Sequence, residues 1–190
     1  MTIISLLLLA SLLPHLTFTG VSCSNLIIPR RRHVCGGFLI SDEFVLTAAH
    51  CIEYQLKKKV KLSQNVKFIS IKNKTDFKPG TVCSVAGWGR LETNGLASDC
   101  LMEANVKIKN NTECEQRWGE IYSILKMMCA YGRGGSCYGD SGGPLVCGKT
   151  AVGITSFGDK LRCNKLSHPN VYTNISAYIP WIHQIIRNVK

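Results

Sequence analysis

The sequence predicts an all-β protein of barrel or sandwich type that ends in one amphipathic helix. Short segments rich in Val, Ile and Phe recur along the chain, separated by Gly, Asn, Ser and Asp about every eight to twelve residues. A spacing of three to four between apolar residues appears only after Asn174. Ten cysteines follow an apolar leader, the usage of a disulfide-tied protein on a secretory route.

Taken in order, Ile3 to Leu13 is apolar and Gly20, Val21 and Ser22 are small, so residues 1–22 read as a signal peptide. That run falls short of the roughly 18 apolar residues a bilayer span needs, as does every later one. Protein in an extracellular space or a secretory granule is the expectation. His33 to Ile40 and Phe44 to Ala48 predict a hairpin around Ser41-Asp42-Glu43. Val82 to Trp88, Leu101 to Ile108, Pro144 to Cys147, Ala151 to Phe157 and Pro169 to Thr173 predict further strands. A boundary falls near Asp76-Phe77-Lys78-Pro79-Gly80, dividing the chain into 23–76 and 77–190. Only the end reads as helical: Ile175, Ile179, Ile182, Ile185 and Ile186 share a face, with Trp181 on the same side. Asn73, Asn110 and Asn174 each begin an N-x-Ser/Thr sequon, so a glycoprotein is expected.

The formal charge of +11 concentrates in Arg30-Arg31-Arg32-His33 and in Lys57-Lys58-Lys59 with Lys61. Such clusters are most simply a solvated surface, with sulfated glycosaminoglycans as the acidic partner they would attract. A secretory chain without aromatic stacking platforms argues against nucleic acid. No Cys and His spacing suggests a metal site, and no organic cofactor is indicated.

Two motifs carry chemistry. Ser136-Cys137-Tyr138-Gly139-Asp140-Ser141-Gly142-Gly143-Pro144 reads as a nucleophile loop, and Leu46-Thr47-Ala48-Ala49-His50-Cys51 as a general-base loop. A serine hydroxyl becomes a nucleophile when a base takes its proton and N–H groups stabilise the oxyanion. Gly139 and Gly142 suit a tight turn that aims backbone N–H groups at one point. The pair predicts acyl transfer with Ser141 as nucleophile and His50 as base.

On these motifs, with Cys35-Gly36-Gly37, Val85-Ala86-Gly87-Trp88-Gly89, Met127-Met128-Cys129-Ala130, Ser156-Phe157-Gly158 and Val171-Tyr172-Thr173, the chain resembles the chymotrypsin-like serine endopeptidases of the trypsin family. The likeness is nearest to the granule-stored branch containing granzymes and mast-cell proteases. It implies a chymotrypsin-like fold of two β-barrels with the site in the cleft, cleaving protein or peptide substrates. It also implies an oxyanion hole from the N–H groups of Gly139 and Ser141, and Asp140 as the partner of an activating amine. A pocket built from Gly135, Ser156, Phe157, Gly158 and Asn170 is implied too, neutral because Gly135 stands where an acid would select Lys or Arg. The implied disulfides are Cys35 with Cys51, Cys83 with Cys147, Cys114 with Cys129 and Cys137 with Cys163. Cys23 and Cys100 remain, to pair or to stay free.

Two departures bear on activity. The acid that orients the base belongs between the motifs, yet Cys51 is followed by Ile52-Glu53-Tyr54-Gln55 and at once by Leu56-Lys57-Lys58-Lys59-Val60. Glu53 lies close to the Cys35 and Cys51 tether, and Asp42, Glu43 and Asp76 sit in turn-like contexts. The family's Ile-Ile-Gly-Gly start is likewise replaced by Ile27-Ile28-Pro29-Arg30. Both gaps fall in the first barrel, which is expected to be incomplete, with unpaired edges on the Val34 to Ala48 hairpin. A weakened serine endopeptidase is the leading reading. A non-catalytic homologue binding acidic partners, and a shortened transcript that does not fold alone, are the alternatives.

Overall fold

The computed structural model describes residues 35–51, 62–64, 66–71, 77–159, 163 and 168–189. The leader, both basic clusters, Cys23, Ile27-Ile28, Glu53, Asn73 and Asp76 lie outside the described residues.

Nine strands are described. A short antiparallel hairpin, β1 (Phe38–Leu39) and β2 (Val45–Leu46), pairs Phe38 with Leu46 and Leu39 with Val45. Its turn is the one expected: Ser41 Oγ accepts from the N–H groups of Glu43 at 3.2 Å and Phe44 at 3.1 Å. The edge of β1 is not open throughout, because Ile69 N–H donates to Leu39 O at 2.9 Å. From there β3 (Ser70–Ile71) pairs parallel with β8 (Thr150–Phe157).

The remaining strands close on themselves. β4 (Val82–Gly87), β5 (Met102–Ile108), β6 (Met127–Tyr131), β9 (Asn170–Asn174), β8 and β7 (Pro144–Cys147) form a ring in that order. β8 pairs with both β7 and β9, so the six strands make a barrel without a free edge. Alternation fills it: Cys83 and Val85, Val106 and Ile108, Met128 and Ala130, and Leu145 and Cys147 face one core with Val152 and Tyr172.

Two helices flank the barrel. The terminal helix α2 (Ile179–Val189) follows a 3-10 turn at Ile175–Tyr178 and buries Ile175, Ile179 and Ile182. These pack with Phe38, Ala48, Cys51, Ala151 and Ile154, so α2 and the hairpin share one core. Trp181 leaves that face and is 45% exposed, correcting the placement expected for it. A second helix, α1 (Asn111–Trp118), was not expected. Asn110 caps it by accepting from Thr112 N–H at 2.9 Å. Trp118 packs edge-on against Phe157 at 5.1 Å between ring centroids and donates from Nε1 to Pro169 O at 3.0 Å.

All four implied disulfides are present: Cys35–Cys51, Cys83–Cys147, Cys114–Cys129 and Cys137–Cys163. Cys100 is disulfide-bonded as well, to a partner outside the described residues.

Candidate active site

The Ser141 loop is tied down by several of its own backbone groups. Asp140 N–H donates to Cys137 O at 3.1 Å, Gly143 N–H to Asp140 O at 3.0 Å, and Gly142 N–H to Thr155 O at 2.8 Å. Thr155 N–H returns a bond to Gly143 O at 2.8 Å, tying the loop to β8. Gly139 and Gly142 have φ of 99° and 84°, a region that disfavours side chains. A Cβ on Gly142 would also strike Gly36 O and Thr47 Oγ1. The N–H groups of Gly139 and Ser141, like those of Ser136 and Tyr138, have no acceptor among the described residues. Both residues are half-buried.

The segments on either side of the β1–β2 hairpin are bonded to this loop. Gly36 N–H donates to Ser141 O at 2.6 Å, and Thr47 Oγ1 to Gly36 O at 2.7 Å. His50 sits on the 3-10 turn Ala49–Cys51, and Cys51 Sγ lies 3.7 Å from Ser141 O. An imidazole nitrogen and the sulfurs of Cys35 and Cys51 lie within 4.8 Å of one another. Both sulfurs are consumed by the disulfide, so these three residues do not make a thiolate metal site. His50 is exposed and has no hydrogen-bond or ion-pair partner among the described residues. Asp42 and Glu43 lie on the turn between β1 and β2 and do not pair with it.

Asp140 turns away from Ser141. Its Oδ1 accepts from Gly89 N–H at 2.8 Å and its Oδ2 from Cys137 N–H at 2.9 Å. Burial pushes the carboxyl above the ordinary value, and these two N–H groups offset the shift only in part. The carboxylate fills the space where Gly87 and Gly89 lack side chains; a Cβ on Gly89 would come within 2.5 Å of it. A cavity of about 180 Å³ opens beside it, lined by Val85, Leu91, Met102, Ala104 and Gly135. No cation pairs with Asp140 among the described residues.

The remaining candidates meet on the far side of Ser136. Asn170, 8% exposed, donates from Nδ2 to Ser136 O at 2.8 Å. Its carboxamide lies between Gly135 and Gly158, 2.9 Å and 2.6 Å from where a Cβ on each would stand. Ser156 and Phe157 end the strand β8 beside it. Ser136 Oγ and the Tyr172 hydroxyl are 3.2 Å apart, and burial pushes the Tyr172 phenol up to about 12.

The residues that hold Asp140 were not read from the sequence. The paired glycines of Val85-Ala86-Gly87-Trp88-Gly89 were the available signal. Arg90, 5.2 Å from the centroid of the exposed Tyr138 ring, was also missed.

The model of the trypsin family matches residues 20–56 and 54–182. The chain belongs to the trypsin family. It is 33% identical over 208 aligned positions to duodenase-1 of Bos taurus, covering 84% of this chain and 81% of that one. Mast cell protease 3 of Ovis aries is 32% identical, with 93% and 86% covered. Granzyme B(G,H) of Mus musculus is 31% identical, with 82% and 81% covered. Among solved structures, mouse neuropsin, a serine protease expressed in the limbic system of the brain, superposes with a TM-score of 0.74 at 29% identity. That likeness covers 80% of this chain and 89% of neuropsin. The closed six-stranded barrel with its terminal helix is thus that of a chymotrypsin-like fold. No described helix is long and apolar enough to cross a membrane.

Proposed function

We propose that this trypsin-family chain is a secretory serine endopeptidase whose hydrolysis runs at a reduced rate. The observation that carries the reading is a Ser141 loop tied to Gly36 beside the His50 turn, with the N–H groups of Gly139 and Ser141 left without an acceptor among the described residues. His50 takes the proton from Ser141 Oγ as it attacks a peptide carbonyl, and the two N–H groups hold the oxyanion. The imidazolium then gives its proton to the leaving amine, and water releases the acyl group by the reverse sequence.

Two features support the reduced rate. His50 has no carboxylate partner among the described residues, and neutralising that partner in a family enzyme costs about 10⁴ in turnover. Asp140, the implied partner of an activating amine, has no cation among the described residues. Gly135, Ser156, Phe157, Gly158 and Asn170 would form a neutral pocket that takes uncharged side chains. Every described cysteine is disulfide-bonded, which supports a leader over residues 1–22 and an extracellular or granule location. The division into a shortened first barrel over 23–76 and a second barrel over 77–190 belongs to the same reading.

The charge of +11 favours a second reading, a non-catalytic homologue that holds sulfated glycosaminoglycans through its basic surface. Incubating the purified chain and His50→Ala with a mixed peptide library separates the two. Slow cleavage after uncharged residues, lost in the variant, supports the endopeptidase. Salt-sensitive retention on heparin with no new peptide termini would instead establish the binding homologue.

A further inference from the structure

We propose that Asn110 carries an N-linked glycan, and that Asn174, which begins a second described sequon, does not. This rests on the secretory reading above, since attachment occurs in the lumen of that route. The two asparagines share one chemistry and differ in setting. Asn110 is exposed, immediately before α1, and its Oδ1 accepts from Thr112 N–H at 2.9 Å. Its Nδ2 donates to nothing among the described residues.

A glycan attaches through Nδ2, so the two roles of Asn110 do not compete. The bond from the sugar's anomeric carbon to the diphosphate of a polyisoprenyl-diphosphate donor breaks as the bond to Nδ2 forms. The amide loses one proton and the lipid diphosphate departs. Oδ1 keeps its lone pairs, and the helix cap survives. Thr112 is exposed too, leaving the sequon hydroxyl open to solvent.

Asn174 is bound differently. Its Oδ1 receives both Ser176 N–H at 3.2 Å and Ser176 Oγ at 2.7 Å. Ser176 is 7% exposed and Ile175 is 1% exposed, so two of the three sequon residues are buried, and Ile175 belongs to the core shared by α2 and the hairpin. A bulky hydrophilic substituent there would stand against packed apolar surface, whereas at Asn110 it stands in water.

The full chain is expressed in a mammalian secretory line, and membrane and medium fractions are pooled. Peptide N-glycosidase in heavy-oxygen water then converts occupied asparagines to labelled aspartates, read by mass spectrometry. Label is expected at Asn110 and not at Asn174. Thr112→Ala should abolish it while keeping the cap, which uses the backbone N–H of that residue, and Thr112→Ser should retain it. Unlabelled Asn110 in chains whose Cys114 and Cys129 are disulfide-linked would overturn the proposal, as would label at Asn174 in place of Asn110. A chain recovered only with those cysteines reduced would overturn the secretory reading itself, and this inference with it.

Discussion

Asn170→Ala removes the carboxamide that occupies the space between Gly135 and Gly158 and leaves Ser136 O, in a buried residue, without its donor at 2.8 Å. A buried acceptor stripped of its partner costs roughly 1 to 3 kcal/mol. At about 2 to 4 °C per kcal/mol for a chain of this size, the melting midpoint should fall by roughly 2 to 12 °C. The proposed pocket should deepen at the same time, because the walls at Gly135 and Gly158 carry no side chains. Peptidyl phosphonates bearing Val or Phe at the position facing that pocket report both changes through labelling rates. The ratio of Phe to Val rates should rise by at least about tenfold, the scale on which apolar pockets discriminate size. An unchanged midpoint together with an unchanged ratio would refute the placement of Asn170 as the pocket's filler.

Asp140 sets a pH dependence. Burial holds its carboxyl above the ordinary value, so the folded chain binds that proton more tightly than the unfolded one. Stability contributed by this residue therefore falls as pH rises from the ordinary carboxylate range through the folded value, and Asp140→Asn should flatten that limb in urea titrations. Tyr122 and Tyr172 are both raised to about 12. Ultraviolet titration should find Tyr122 and Tyr172 still protonated near pH 11, with stability falling as pH climbs above the free phenol value of about 10. Removing the Cys114–Cys129 disulfide by a double Ala substitution releases a 15-residue separation and should lower denaturation free energy by about 3 kcal/mol.

Much of the barrel was legible because its strands alternate apolar residues between turn signals: Val82–Gly87, Pro144–Cys147 and Thr150–Phe157 fall within a residue or so of the expected bounds. β6 was quoted for its motif but not read as a strand, since Met127-Met128-Cys129-Ala130-Tyr131 holds no β-branched residue. Its place comes from long-range pairing with β9, which local composition does not display. Helix α1 was hidden for the opposite reason: Asn111 to Trp118 is mostly polar and fully buries only Cys114, so no apolar stripe marks it. Trp181 stands two positions from Ile179 and one from Ile182, and helical geometry carries it off the buried face.

The site divided along similar lines. His50 and Ser141 stand in long motifs, and the disulfides followed from the family resemblance. Asn170 was named through the resemblance, but its bond to Ser136 O depends on β9 running beside that loop, a relation set by the fold and not by sequence spacing. Asp140 was named, yet its cradle depends on Gly87 and Gly89 lying some fifty residues upstream, where a side chain would collide with the carboxylate.

Fluorophosphonate labelling of the purified, disulfide-linked chain, beside Ser141→Ala and His50→Ala, tests the central claim most directly because it reports nucleophile activation without choosing a substrate. Slow, saturating labelling is expected, abolished by Ser141→Ala and strongly reduced by His50→Ala. A cooperatively melting monomer that takes up no label, or one whose labelling is indifferent to Ser141→Ala, would contradict it.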